Sequence, residues 1–461
     1  MFSYLRQGRG FYRSLFALAL PIILQNLITE SLALADTFMV GALGEAPLAG
    51  VTLANIPIYV EQLMIFGFQS GSSVLISQFY GRGDRDSINR VLGIGMYAAG
   101  AVTALFGCVM FFFPARFMSL FGNNAEVVAL AARYVKIVAF SIFFGGLSEV
   151  YIAAHRAMGD PKIGLCILGV SMTVNVVLNY GLIFGRLGLP QMGIEGAALA
   201  TLIARVLQFL LAAGHAVWGK RFRVDPAKVL RPGMAMVRRY IPVAAPVILN
   251  ETLWGLGTSL YPTIMGHMDN SQPILAAYAV AGNVEKISTV AIFALAAAAA
   301  VIVGQSVVRE SRERVREVGR VLNTVAFLSG AVVGALALAA LYLFIRPLVF
   351  PIFKLSAEAR TIATMMLTIT FLSMPFQSFN TTRIVGVLRG GGDVRFAAVI
   401  DLSALWLVAI PLAAFVGLVL RWSVLWVCLS RTLEQAVKVV LGSWRSKSGK
   451  WIRDVTLDRE A

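Results

Sequence analysis

The chain has 461 residues, of which 58% are apolar and only 14% charged, with a net charge of +16. Soluble domains carry about 25% charged residues, so too little polar surface is present to wet several globular domains, and a soluble enzyme is excluded. The solvent for most of this chain is lipid.

The N-terminus, Met1 to Leu24, looks like a secretory signal, because Arg6, Arg9 and Arg13 precede an apolar stretch. No small-residue cleavage pattern follows promptly and the stretch continues to spanning length, so it reads as an uncleaved first helix. A spanning helix needs about 20 mostly apolar residues. Apolar runs between charged or Pro/Gly-rich breaks predict spans near 14–40, 48–78, 91–113, 127–152, 163–185 and 194–218. A second set follows near 240–265, 275–305, 320–345, 360–386, 396–419 and 422–442. The expected fold is all-α integral membrane, twelve transmembrane helices in two six-helix bundles. The N-terminal lobe covers 1–218, a basic linker 219–239, the C-terminal lobe 240–442 and a basic tail 443–461.

Connections alternate in charge. The basic ones are the N-terminus, the loops with Arg82, Arg85 and Arg90 and with Arg156 and Lys162, and the linker with Lys220, Arg221, Arg223, Lys228, Arg231, Arg238 and Arg239. The series continues with Arg309, Arg312, Arg314, Arg316 and Arg320, then Arg389 and Arg395, and the tail with Arg445, Lys447, Lys450, Arg453 and Arg459. The intervening loops hold only Arg116, Arg186, Arg346, Lys354, Arg360 and Arg421. The positive-inside rule then puts both termini and the linker in the cytoplasm, in a cell inner (plasma) membrane, with an even number of spans. Anionic lipid headgroups account for the basic patches, so no nucleic-acid partner is implied.

An internal repeat organises the chain. Pro21-Ile-Ile-Leu-Gln-Asn-Leu and Pro246-Val-Ile-Leu-Asn-Glu-Thr lie 225 residues apart, and Gly41 and Gly266 keep that offset. Arg156-Ala-Met-Gly-Asp160 recurs as Arg389-Gly-Gly-Gly-Asp393, each opening a basic loop. With an even number of spans per half, the repeats are parallel and suggest two bundles around a midplane cavity.

Intramembrane charge needs a partner, a proton or water. Glu30 and Asp36 fall in the first span, Glu61 in the second, Glu251 in the seventh, Glu285 beside Lys286 in the eighth and Asp401 in the eleventh. Glu30 and Asp36 are six residues apart, about 120° around a helix, so only one faces straight into a cavity. Glu61 reads as an interfacial carboxylate and Glu285 as neutralised by its neighbour Lys286, alternatives to a cavity role. Asn175 and Asn179 share a face of the fifth span and Thr201 lies on the next; with Asp36 they could hold a dehydrated monovalent cation or hydrogen-bond a protonated Asp36. Pro21 interrupts the hydrogen-bond ladder of the first span and allows a bend that could move Asp36. Met39, Met64, Phe66, Phe68, Trp254 and Tyr261 are candidates to line a cavity for loosely recognised substrates. His155, His215 and His267 look scattered, and Cys108, Cys166 and Cys428 read as packing, so no metal or disulfide is expected beyond a Na+ at Asp36.

At these residues the chain resembles the multidrug and toxic compound extrusion family, MATE, within the superfamily that also holds lipid-linked oligosaccharide flippases. The resemblance runs over about residues 14–442. It rests on Pro21, Ala35-Asp36-Thr37 and Gly41, then Ser77-Gln78-Phe79-Tyr80-Gly81 with Gly83, and Asn175-Val-Val-Leu-Asn179. Gly193 to Thr201, Asn250-Glu251, Leu388-Arg389-Gly390 through Asp393, and Trp406 with Pro411 complete it.

The resemblance implies secondary active efflux through a V-shaped pair of six-helix lobes, driven by Na+ or H+, with no other cofactor and a monomer as the working unit. It makes Asp36 the coupling carboxylate, with Asn175, Asn179 and Thr201 beside it, and matches Glu251 to an acid that some bacterial members place in the seventh span. Glu251 and Glu30 are then expected to attract hydrophobic, often cationic substrates into the cavity. Two departures stand out: Ser378, with Asn380 nearby, occupies the place where one bacterial branch has an aspartate in the tenth span, and Asn179 stands where some relatives have aspartate. Coupling is therefore expected to rest on Asp36.

A flippase of the same superfamily would want cavity cations, for which Arg205 and Arg383 are the best placed. A membrane-embedded enzyme would need a convergent acid/base set or nucleophile, and no such motif is present. Two equivalent halves fit alternating access better than an ion channel.

Overall fold

The computed structural model describes residues 8–219, 222–353 and 355–457. Arg6, Lys220, Arg221, Lys354 and Arg459, counted above among the loop charges, lie outside them. The described residues are almost entirely helical and contain no strand.

The long helices are α1 (Arg9–Gly41), α2 (Glu45–Arg82), α3 (Arg85–Phe112), α4 (Ala125–Ala157), α5 (Pro161–Phe184) and α6 (Ile194–Trp218), then α7 (Met234–Gly266), α8 (Ser271–Arg309), α9 (Arg312–Val349), α10 (Ala357–Arg389), α11 (Val394–Val419) and α12 (Val424–Ser448). Among the described residues, ten of these are long and apolar enough to cross a membrane; α7 and α12 fall short of that measure. Sequence explains the shortfall: α12 carries Arg431, Glu434, Lys438, Arg445 and Lys447, and the apolar part of α7 is interrupted by Pro242, Pro246 and the polar run Asn250-Glu251-Thr252. Outward faces are apolar, with Leu372 62% and Leu407 75% exposed, as lipid-facing surfaces require.

Most helices overrun the apolar stretches that predicted them. Hydropathy measures the membrane's thickness, whereas hydrogen bonding continues until a cap stops it. Two stops are built by the repeated motif. Gly159 and Gly392 take left-handed backbone, φ +86° and +91°. The next amide, Asp160 or Asp393, returns 2.9 Å to the carbonyl of His155 or Leu388, a Schellman-type closure that favours glycine.

The chain forms two compact units. One comprises Leu24–Ile248, the other the stretch ending at Ile23 together with everything from Leu249 onward. The sequence put the division in the linker, but the chain changes unit inside α1 and inside α7. Both crossing points lie two residues after a proline of the 225-residue repeat, Pro21 and Pro246. In one unit Leu15, Ala19 and Ile22 of α1 are buried with Leu295, Ala299 and Leu322; in the other Val40 joins a core with Met110, Val135 and Ile183.

Linker and tail are docked, not free. Phe222 is buried, the short helix Pro226–Leu230 packs on α3, and Lys228 pairs with Asp86 and Asp225, which hold its pKa above the usual lysine range. In the tail, Trp451 and Ile452 join the core of their unit, and Arg445 donates 2.6 Å to buried Asp393.

Helix contacts use small residues, as expected where lipid gives no hydrophobic push. Gly330 and Gly334, one turn apart on α9, lie on the backbone of α10: a Cβ at Gly330 would sit 2.7 Å from the Met374 carbonyl oxygen, and one at Gly334 2.5 Å from that of Phe371. Backbone cannot yield to a side chain there. Gly330→Leu is expected to lower the yield of monodisperse protein on size-exclusion chromatography sharply, whereas Gly169→Leu, which meets open space, leaves it unchanged.

Candidate functional site

Within the unit Leu24–Ile248, three of the four residues expected at a coupling site come together. The Asn179 amide donates 2.5 Å to Asp36 Oδ1 and 3.1 Å to Asn175 Oδ1. Asn175 and Asn179 are buried at 3% and 1% exposure, and Asp36 is half-buried. The geometry follows from the four-residue spacing on α5, which stacks the two amides on one face. Thr201 donates its hydroxyl proton 3.0 Å back to Ala197, so it offers only lone pairs outward. Buried Tyr134, which the sequence reading did not single out, lies within interaction range of both Asp36 and Thr201.

The cluster's chemistry suits a hard monovalent cation or a proton. Its donors are a carboxylate, two amide oxygens and a hydroxyl, and Asn179 Oδ1 is buried without a hydrogen-bond partner. A buried acceptor left without a donor is costly unless something positive visits it. Asp36 with Asn175, Asn179 and Thr201 would hold the ion, which supplies only charge.

Pro21 is buried inside α1, which is helical without interruption from Arg9 to Gly41. The repeat-related residues Gln25 and Asn250 each tie their helix to another in the same way. Gln25 donates 2.5 Å to the Pro161 carbonyl at the start of α5, and Asn250 donates 3.1 Å to Asp401 on α11.

The other unit holds a different polar core. Arg389 donates 2.5 Å to Glu251 and lies 3.9 Å from Asp401; Lys438 bonds Asp401 and Glu434 at 2.5 Å each. Four helices, α7, α10, α11 and α12, thus share five alternating charges, the Arg389 side chain being 2% exposed. Glu251 is therefore not a free carboxylate; it is paired with the arginine of the repeated motif. Arg389 was expected on a basic loop, but α10 continues to it, its last turns Thr382–Arg389 wound with π-type i→i+5 bonding. Ser378 and Asn380 are buried in the same unit, Asn380 donating to Gln435.

The remaining expected cavity residues divide. Glu30, Met64 and Phe68 are half-buried and Phe66 is 43% exposed. Trp254 packs against the core of its unit, and Tyr261 is inside it at 3% exposure, where it walls a small space with Glu285, Gln377 and Arg431. Glu285 is paired not with Lys286 but with both terminal nitrogens of Arg431; neighbours in sequence point about 100° apart on a helix and seldom meet. Glu61 is buried, at 3% exposure. His155 and His215 are not scattered: their rings are 5.1 Å apart, with the Tyr151 hydroxyl 2.8 Å from His215 Nδ1. Cys108 and Cys166 are exposed on α3 and α5 rather than packed inside. Arg205 and Arg383 are both engaged, Arg205 by Glu149 and Gln208, Arg383 by Ser443 and the Phe379 ring.

These features, a repeated helical membrane protein with a buried oxygen cluster in one unit, define a polytopic transporter. The family model MatE matches residues 21–181 and 246–415. The chain belongs to the MatE family, whose members are transporters and not enzymes. It is similar to a probable multidrug resistance protein NorM of Bradyrhizobium diazoefficiens, 30% identical over 86% of this chain and 84% of that one. It also resembles a probable multidrug resistance protein NorM of Thermotoga maritima, 24% identical over 97% and 95%. Among solved structures, a MOP superfamily transporter from Pyrococcus furiosus shares the fold, with a TM-score of 0.83, 18% identity and coverage of 97% and 98%.

Proposed function

We propose that this protein is a secondary active exporter of hydrophobic, often cationic small molecules, driven by Na+ or H+ entering at Asp36. It works by alternating access, as a monomer with twelve spans, in a bacterial plasma membrane with both termini cytoplasmic. The observation that carries the reading is the Asp36–Asn179–Asn175 cluster, with its unpartnered buried oxygen, inside a chain of the MatE family. The names of its relatives, multidrug resistance proteins, support the substrate class. A flippase holding phosphates would need free cations, and Arg205 and Arg383 are engaged by protein partners.

The test is efflux of a fluorescent cationic dye from proteoliposomes under an imposed Na+ or pH gradient. One gradient is expected to drive efflux through the parent protein and to fail with Asp36→Asn. Folded parent protein that moves no dye under either gradient overturns the reading.

A further inference from the structure

A second ionisable cluster in the unit Leu24–Ile248 is not used by the coupling site. Glu61, Ile65 and Gln69 succeed one another at four-residue spacing on one face of α2, all buried, and that face meets α4. Ile65 touches Gly146, where a Cβ would stand 3.7 Å from its Cδ1, and Gln69 donates 3.1 Å to Glu149 Oε2. The other Glu149 oxygen accepts 3.1 Å from Arg205 on α6, whose side chain crosses α4 over Gly145, where a Cβ would stand 3.3 Å from the Arg205 Cδ. Gln208 accepts from Arg205 and donates to Ser148, closing the network.

Every member of this network is satisfied except Glu61. It is 97% buried by residue surface, and among the described residues no hydrogen bond or ion pair reaches it. The charged groups facing it are Glu149 from α4 and Arg205 from α6. Arg205 is also within electrostatic range of Asp36 on α1. From α3 nothing charged faces it, since Val91 to Phe112 contains no acid or base and Tyr97 bonds the Leu230 carbonyl; from α7, Tyr240 bonds Ser72.

We propose that Glu61 is a second proton-binding residue of this unit, holding a proton at neutral pH and giving it up when Asp36 is neutralised. A carboxylate without partners in a protein interior is charged only at great cost, and its cheapest relief is a proton. Arg205 relieves it only in part, because Glu149 takes most of that charge. When a cation or proton arrives at Asp36, the negative charge that offset Arg205 disappears and the potential at Glu61 becomes more positive. The O–H bond of Glu61 then breaks, its electron pair stays on the carboxylate, and the proton leaves through the partly exposed Glu149. One positive charge enters and one leaves, so the buried charge of the unit is unchanged. By linkage, a proton on Glu61 weakens ion binding at Asp36 by the same factor. The proton itself is independent of the transport reading; its part in coupling rests on that reading.

The test is infrared spectroscopy of the full chain in lipid, following the C=O stretch of protonated carboxylic acids across a pH titration. Parent minus Glu61→Gln is expected to show a protonated-carboxyl band at neutral pH; if no band is lost, the proposal fails. Glutamine has the shape of the protonated acid, so the variant should fold. As a second measurement with Glu61 in place, Asp36→Asn is expected to weaken proton binding at Glu61 about tenfold, one unit of pKa, and Arg205→Met to strengthen it. If neither variant moves the titration of the Glu61 band, the link to Asp36 is overturned while the proton stands. Loss of dye efflux alone sinks the transport reading and leaves the infrared result untouched.

Discussion

Arg389→Leu is expected to cost about 3–5 kcal/mol of stability, because it strips a buried carboxylate of the one direct partner it has among the described residues. In the parent, Glu251, Arg389, Asp401, Lys438 and Glu434 alternate in sign along one chain of contacts. With all five ionised the chain carries one net negative charge, and losing Arg389 makes it two. Glu251 has only 12% of its side chain exposed, so water cannot solvate the orphan. Removing both partners, Arg389→Leu with Glu251→Leu, returns the net charge to its original value and leaves the Lys438 bonds in place. The double variant is therefore expected to be more stable than Arg389→Leu alone, a non-additivity typical of residues in contact. Thermal unfolding in detergent, read by the loss of the monodisperse peak, measures all three proteins. An Arg389→Leu variant as stable as the parent would show that Glu251 has no need of its partner. This unit thus carries its own cations, with Arg389 and Lys438 paired to its three buried acids.

How far the sequence leads depends on whether a feature is local. The spans were legible because lipid enforces a long apolar run for each crossing, and the repeat was legible because Pro21 and Pro246 and the two Arg-to-Asp motifs stand in register. That Asp36, Asn175 and Asn179 come together was legible through the spacing of the two asparagines and the rarity of an acid at Asp36. Illegible were the partners of charges. Asp36 meets Asn179 across 143 residues and Glu285 meets Arg431 across 146, and no spacing rule reaches that far. The nearest opposite charge in sequence, Lys286, was the wrong choice for Glu285. Hydropathy also misled at helix ends: it placed Arg389 and Arg445 on a basic surface, although helices α10 and α12 continue to carry both into buried ion pairs. Positive charge near a membrane surface is thus two populations, one facing headgroups and one neutralising acids inside the protein. Glycine pairs such as Gly330 and Gly334 were in plain view, but only the neighbouring backbone shows what they accommodate.

Asp36→Asn is expected to uncouple the ion from the substrate without unfolding the protein. Asparagine keeps an oxygen where Asp36 Oδ1 accepts the Asn179 amide, so the contact between α1 and α5 survives while the charge is lost. An ion can drive export only by preferring the state that holds substrate weakly, and the drive cannot exceed that difference in affinity. Couplings of this kind amount to about 5–150-fold in affinity. Saturating coupling ion is therefore expected to weaken dye binding to the parent by a factor in that range, and dye to weaken ion binding by the same factor. In Asp36→Asn, dye affinity is expected to be the same with and without the ion. Glu30→Gln supplies the contrast, because Glu30 lies about 120° away from Asp36 on the same helix. It is expected to lower affinity for a cationic dye equally in both conditions, leaving the ion's effect intact. Fluorescence anisotropy of the dye on purified protein, titrated with and without Na+ and at two pH values, measures each factor. An ion effect that persists in Asp36→Asn would move the coupling site elsewhere in the unit, with Glu61 the next residue to replace.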